Sequence, residues 1–165
     1  MKTSLVLLGL VVAYLVYQYR QPRFIAGETA ADFSATLADG RAFRLSDLRG
    51  KYVLLQFWGS WCGPCRAENP RLVGLYEKYR DRGFEIVSVA IEKDTARWQQ
   101  AIVSDRLVWP YHTAELEQFS GPIARHYNIR SIPTTFLINP EGRIMGVRLK
   151  AEQLDKMLDS GLARR

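Results

Sequence analysis

The chain holds two cysteines, Cys62 and Cys65, separated only by Gly63 and Pro64. Thiols at this spacing can close reversibly into a disulfide or supply half the ligands of a zinc ion. Zinc needs two further ligands. The only histidines, His112 and His126, are fourteen residues apart and show no ligand spacing. The pair is therefore read as a two-electron dithiol/disulfide switch, with no metal and no cofactor beyond the Cys62–Cys65 couple itself.

The neighbouring residues must position the sulfurs. Before them, Tyr52-Val53-Leu54-Leu55-Gln56-Phe57-Trp58 is an apolar run that predicts a buried strand. After them, Cys65, Glu68, Leu72, Leu75, Tyr76 and Tyr79 recur at helical spacings of three and four. The cysteines thus sit at a strand-to-helix turn. Positions i and i+3 on a first helical turn suit the ~5.5 Å Cα separation of a disulfide. Pro64 falls where a missing N–H costs nothing. At the helix N-terminus Cys62 meets unpaired N–H groups and the positive end of the dipole, which favour thiolate. Cys62 is assigned as the nucleophile. Cys65, deeper on the core-facing stripe, is the resolving thiol.

Other side chains are candidates on position. Glu68 shares the stripe of Cys65, so a partly buried carboxyl there could exchange a proton as Cys65 changes state. The alternative is a surface acid suited to the helix end and paired with Arg71. Glu92, at the end of a strand, is either a second acid near the site or a solvated loop residue. Trp61 is expected to pack over the disulfide and Trp58 to be core. Gln56 is expected to be a hydrogen-bonded core residue, and His112 and His126 structural or surface groups.

Trp61-Cys62-Gly63-Pro64-Cys65, with Pro70 five residues on and Ser131-Ile132-Pro133-Thr134-Thr135-Phe136 downstream, resembles the thioredoxin superfamily. Arg66-Ala67-Glu68-Asn69-Pro70 is similar to the Cys-x-x-Glu-x-Pro pattern of its membrane-anchored TlpA/ResA branch. The resemblance covers roughly residues 30–160. It implies an α/β thioredoxin-like fold: a central mixed sheet, helices on both faces and an added N-terminal β-hairpin, preceded by one transmembrane helix. It implies that Pro133 is cis beside the disulfide and that the backbone of Ile132 hydrogen-bonds an extended client segment. Trp61, Gly63 and Pro64 would complete that client surface, and Glu68 would be an active-site acid. Gln56 departs from the pattern, because thioredoxins carry a buried aspartate there.

The implied activity is thiol–disulfide exchange that reduces specific protein disulfides outside the inner membrane, as in cytochrome c maturation. Apocytochrome c or a related protein would be the client, and a membrane thiol reductant the electron donor. Two other readings are a peroxiredoxin-like peroxidase and a noncatalytic binding module. Peroxiredoxins carry Pro-x-x-x-Thr-x-x-Cys, whereas Leu55 and Gly59 stand at those positions before Cys62. Two intact cysteines argue against the noncatalytic module.

The chain is long enough for one domain with a real core. Its net charge is +6, with 23 basic and 17 acidic residues. The basic side chains are scattered among acids, as in Asp39-Gly40-Arg41, and nothing resembles a nucleic-acid motif. Thr3 to Tyr19 carries no charge over about 17 residues, the lower limit for a membrane span. Residues 1–20 are read as an N-terminal membrane anchor, 21–31 as a tether and 32–165 as the thioredoxin-like domain. No Ala-x-Ala cleavage site follows the apolar run, and its terminal position argues against a buried core helix. Lys2 before the run and Arg20 and Arg23 after it leave the charge bias near parity. Placement of the domain on the periplasmic side rests on the resemblance. An extended tether of about 11 residues spans less than ~40 Å.

The rest of the domain reads in order. Hairpin strands lie around Ala38-Asp39-Gly40, and a second buried strand at 84–91. An amphipathic helix over 94–105 carries Trp98, Ile102 and Val103 on its apolar side. A short extended piece falls at 109–111 and a helix at 121–127. A strand after Pro133, a hairpin to Arg148 and a helix over 151–162 follow.

Overall fold

A computed structural model of the protein describes residues 2–19 and 24–163. Its elements in chain order are α1 (Lys2–Tyr19), β1 (Ser34–Thr36), β2 (Ala42–Arg44), β3 (Tyr52–Trp58), α2 (Gly63–Tyr79), β4 (Phe84–Ile91), α3 (Thr95–Ser104), β5 (Tyr111–Glu115), α4 (Pro122–His126), β6 (Thr134–Ile138), β7 (Ile144–Val147) and α5 (Ala151–Leu162). Five strands form one mixed sheet in the order β5-β4-β3-β6-β7. β4 lies parallel to both β3 and β5, while β6 is antiparallel to both β3 and β7.

β3 and β4 are buried along their whole length, as central strands covered on both faces must be. Side chains alternate between those faces. Tyr52, Leu54 and Trp58 join a cluster with Leu72, Leu75 and Tyr79 of α2, Trp98 of α3, and Leu154 and Leu158 of α5. Val53, Leu55 and Phe57 join the opposite cluster with Phe43 of β2 and Ile123 and Ala124 of α4. The helices therefore flank the sheet on both sides, and the β1–β2 hairpin covers part of the second.

Both sheet edges are occupied. Ala38 N–H donates to His112 O at 2.8 Å beside β5. On the β7 side, Gly27 N–H donates to Ile144 O and Ile144 N–H to Glu28 O, each at 2.8 Å. Such cover removes an open ladder that could template aggregation. Of the tether, residues 21–23 lie outside the described residues, as does the 164–165 end of the domain. Phe24 packs its ring, tilted, against Tyr127 with centroids 5.1 Å apart.

Three expectations need correction. The N-terminal apolar run is helical, but at 1.5 Å per residue its 18 residues reach only ~27 Å, short of a ~30 Å hydrocarbon core. Among the described residues no helix is long and apolar enough to cross a membrane. The single-pass anchor is overturned. With it go the periplasmic placement and the membrane reductant reached through that helix. Val103, expected on the buried side of α3, is 72% exposed. Five residues from Trp98, it has turned well off the narrow stripe of Trp98 and Ala101. The extended piece at 109–111 continues as a strand to Glu115.

α2 continues past Pro70 to Tyr79, followed by a 3-10 turn over Arg80–Arg82. Gly83 then takes φ 94°, the left-handed conformation that reverses the chain into β4.

Candidate active site

β3 ends at Trp58, and Gly59-Ser60-Trp61 turns the chain into α2. Cys62 N–H donates to Gly59 O at 3.0 Å, closing the turn. Cys62 is the N-cap of α2, with extended φ −89° and ψ 99°. Its Sγ accepts the Cys65 N–H at 3.2 Å. The two residues are joined as a disulfide, with Cα atoms 5.3 Å apart. Cys65 is fully buried and Cys62 is 5% exposed, while Gly63 and Pro64 beside them are exposed. A thiolate at Cys62 would inherit the helix N-terminus and the Cys65 amide as stabilising donors.

β6 brings the second part of the site. Its Thr134 pairs with Phe57 near the end of β3, so the residues before it lie at the cysteine end of the sheet. There the Ile132–Pro133 bond is cis. Ile132 packs against the cluster that contains Cys62 and Cys65. Pro133 and Glu68 line one small cavity of about 110 Å³, with Thr135, Arg148, Leu149 and Lys150. Glu68 is half-buried. Desolvation raises its pKa against the lowering pull of Arg71, whose own ion pair, at 3.8 Å, is with Glu152.

Trp61 is held against the end of β4. It is 53% exposed, and its indole N–H donates to Ile91 O at 2.7 Å. Its ring meets Phe119 edge-on at 6.4 Å. Trp58 is fully buried core. His112 is buried and stacked on Trp109 at 5.5 Å. His126 is exposed and contacts Phe24 and Tyr127.

Two features exceed the sequence reading. Glu92 is only 2% exposed, and its carboxylate accepts the Ser60 N–H of the active-site turn. The second feature is a hydrogen-bonded chain beneath α2. The Trp109 indole donates to Ser88 Oγ at 2.9 Å, and Ser88 Oγ to Gln56 Oε1 at 2.8 Å. Gln56 Nε2 donates to Asn69 Oδ1 at 3.1 Å, and Asn69 Nδ2 to Asp105 at 2.8 Å. Asp105 in turn receives Arg66, the residue after Cys65, at 2.9 Å. Burial alone would raise the Asp105 carboxyl; bonds from Arg66 and Asn69 outweigh it and hold the pKa below the ordinary value. A polar residue inside an apolar strand was the visible signal for Gln56. Nothing in sequence linked Asn69 to Asp105.

Comparison with known proteins decides the class. The AhpC/TSA family profile matches residues 26–147. Thiol-disulfide oxidoreductase ResA of Geobacillus kaustophilus is 32% identical over 167 residues, covering 97% of this chain and 94% of that protein. ResA of Bacillus cereus is 30% identical, covering 96% and 90%. The chain belongs to the AhpC/TSA family and is a thiol-disulfide oxidoreductase of the ResA kind. Among solved structures, the thioredoxin domain of a thiol-disulfide oxidoreductase from Bacteroides vulgatus superposes with TM-score 0.76 at 28% identity, covering 83% of this chain and 97% of that one. A thiol:disulfide interchange protein from Bacteroides sp. gives 0.75 at 28% identity, covering 84% and 90%. The redox centre of this ResA-type protein is its own cysteine pair. Among the described residues no cluster of His, Cys, Asp and Glu could hold a metal.

Proposed function

We propose that this oxidoreductase reduces disulfides of client proteins, with Cys62 attacking, Cys65 resolving and Glu68 moving the proton between steps. In the dithiol form, the Cys62 thiolate attacks one sulfur of the client disulfide. An S–S bond forms between Cys62 and the client, and the client's other sulfur leaves as thiolate. Cys65 then gives up its proton and attacks Cys62 Sγ. The mixed disulfide breaks, the Cys62–Cys65 bond forms, and the second client thiolate leaves. Two electrons have passed from protein to client.

The observation that carries this reading is the asymmetry of the couple. Cys62 caps a 17-residue helix beside exposed Gly63 and Pro64, while Cys65 is sealed beneath it. Glu68 lies one turn beyond Cys65 on the same helix, and its raised pKa suits a group that takes a proton from a thiol and returns it. The cavity it shares with Pro133 supports a client segment laid along the Ile132–Pro133 backbone. A peroxidase reading lacks support at Leu55 and Gly59, which replace the proline and threonine of the peroxidatic motif.

Insulin reduction in the presence of dithiothreitol tests the proposal, with hydrogen peroxide consumption as the comparison. The expected result is accelerated insulin precipitation that disappears in Cys62→Ser, with no peroxide turnover. Peroxide consumption without insulin reduction would overturn it.

A further inference from the structure

We propose that Glu92 is a positioning residue for the Cys62 thiolate: it holds the turn that carries Cys62 and places a negative charge against it. The inference rests on Cys62 being the attacking thiol. β4 ends at the active-site turn, and two consecutive residues there each hold one residue of it. Ile91 O accepts the Trp61 indole, and the Glu92 carboxylate accepts the Ser60 N–H. Glu92 is itself fixed from behind, since its N–H donates to Glu115 O of β5 at 3.0 Å.

An amide would accept the Ser60 N–H as well, so the turn alone does not account for a carboxylate at 2% exposure. Burying charge is costly unless it is paired. Of the cationic groups around it, the two arginines are engaged elsewhere. Arg66 of α2 is bound to Asp105, and Arg97 of α3 pairs with its own N-cap Asp94 at 3.5 Å. Lys93 shares with them and Glu92 a cavity of about 710 Å³ beside Trp61. Among the described residues no salt bridge reaches Glu92. Glu68 lines the separate cavity at Pro133.

The charge acts on Cys62 through proximity. Ser60 and Cys62 are two Cα steps apart, at most about 7.6 Å. A carboxylate bound to the same turn disfavours a second negative charge on it, opposing the helix N-terminus. The neutral disulfide does not feel it. Glu92 therefore keeps the Cys62 thiol less acidic than the helix end alone would make it, and shifts the couple toward the disulfide. A more strongly reducing dithiol follows.

The test compares Glu92→Gln, which keeps an acceptor for Ser60 and removes the charge, with the full-length wild type. The Cys62 pKa is read from the pH dependence of iodoacetamide alkylation, which needs no client and no turnover. The expected result is a fall of about one unit in Glu92→Gln. The potential against glutathione should become less negative by about 30 mV above both pKa values, the equivalent of tenfold, and converge with wild type well below them. An unchanged or raised Cys62 pKa would overturn the proposal. If Glu92→Gln does not fold, the Ser60 amide resonance of oxidised wild type decides. It should be protected from hydrogen exchange, and rapid exchange there would contradict the contact. Failure of insulin reduction by wild type with this pKa shift intact would sink the proposed function and leave the Glu92 role standing.

Discussion

Acid should weaken this protein through one histidine. His112 on β5 is 5% exposed and stacked on Trp109. Its Nε2 is 3.2 Å from Leu107 O, to which it donates, and its Nδ1 makes no hydrogen bond. Burial, outweighing the pull of backbone at Leu107 and Trp109, lowers its pKa from 6.5 to about 4. Between those values the unfolded chain binds a proton that the folded one refuses. The contribution is therefore fully present above about pH 6.5 and is lost as pH falls toward 4. The loss is about 2 kcal/mol at pH 5 and about 3 kcal/mol once the ring titrates fully. His112→Phe keeps a ring on Trp109 but strands Leu107 O, which costs about 1 kcal/mol at pH 7.5. At pH 5 the order should invert, with the variant the more stable by about 1 kcal/mol. Urea unfolding of the oxidised proteins at both pH values measures this, because carboxylate effects common to both cancel. A wild-type-to-variant difference that does not move between pH 7.5 and 5 would refute the reasoning.

Three further outcomes follow from the packing. Glu68→Gln should flatten the pH profile of mixed-disulfide resolution, measured by stopped flow. It should not lower stability at pH 7.5, since a carboxyl with a raised pKa loses its favourable contribution as pH rises through that value. Gly121→Ala should cost about 1–3 kcal/mol, read as a fall of roughly 5 °C in Tm. A Cβ there would lie 2.7 Å from Glu115 Cβ, and Glu115 is pinned by the N–H groups of Ile123 and Ala124 at 2.6 and 2.7 Å. Gln56→Leu should destabilise by about 2–3 kcal/mol in urea, because Ser88 and Asn69 each lose a buried partner.

The parts of the fold written in local pattern were readable. Continuous apolar runs gave β3 and β4, and spacings of three and four gave α2 and α5, because burial of a face imposes that period. The cysteine pair was legible because spacing, strand before and helix after all agree. β5 was harder: Tyr-His-Thr-Ala-Glu shows no apolar alternation, and its burial comes from β4 on one side and the hairpin on the other. Glu92 read more readily as a solvated loop acid, because only the return of β4 beside the turn places it on Ser60. The chain from Arg66 to Trp109 joins side chains up to 39 residues apart. No local pattern encodes it. The apolar N-terminal run suggested a span, and helix length set against bilayer thickness removed it.

The central claim is the division of labour between the two cysteines. Its most direct measurement is trapping with a disulfide-bonded client, resolved on non-reducing gels. Reduced Cys65→Ser should accumulate a mixed disulfide through Cys62, since attack is intact and release is lost. Cys62→Ser should trap nothing under the same conditions. A mixed disulfide through Cys65 in the Cys62→Ser protein, or none in Cys65→Ser, would contradict the account.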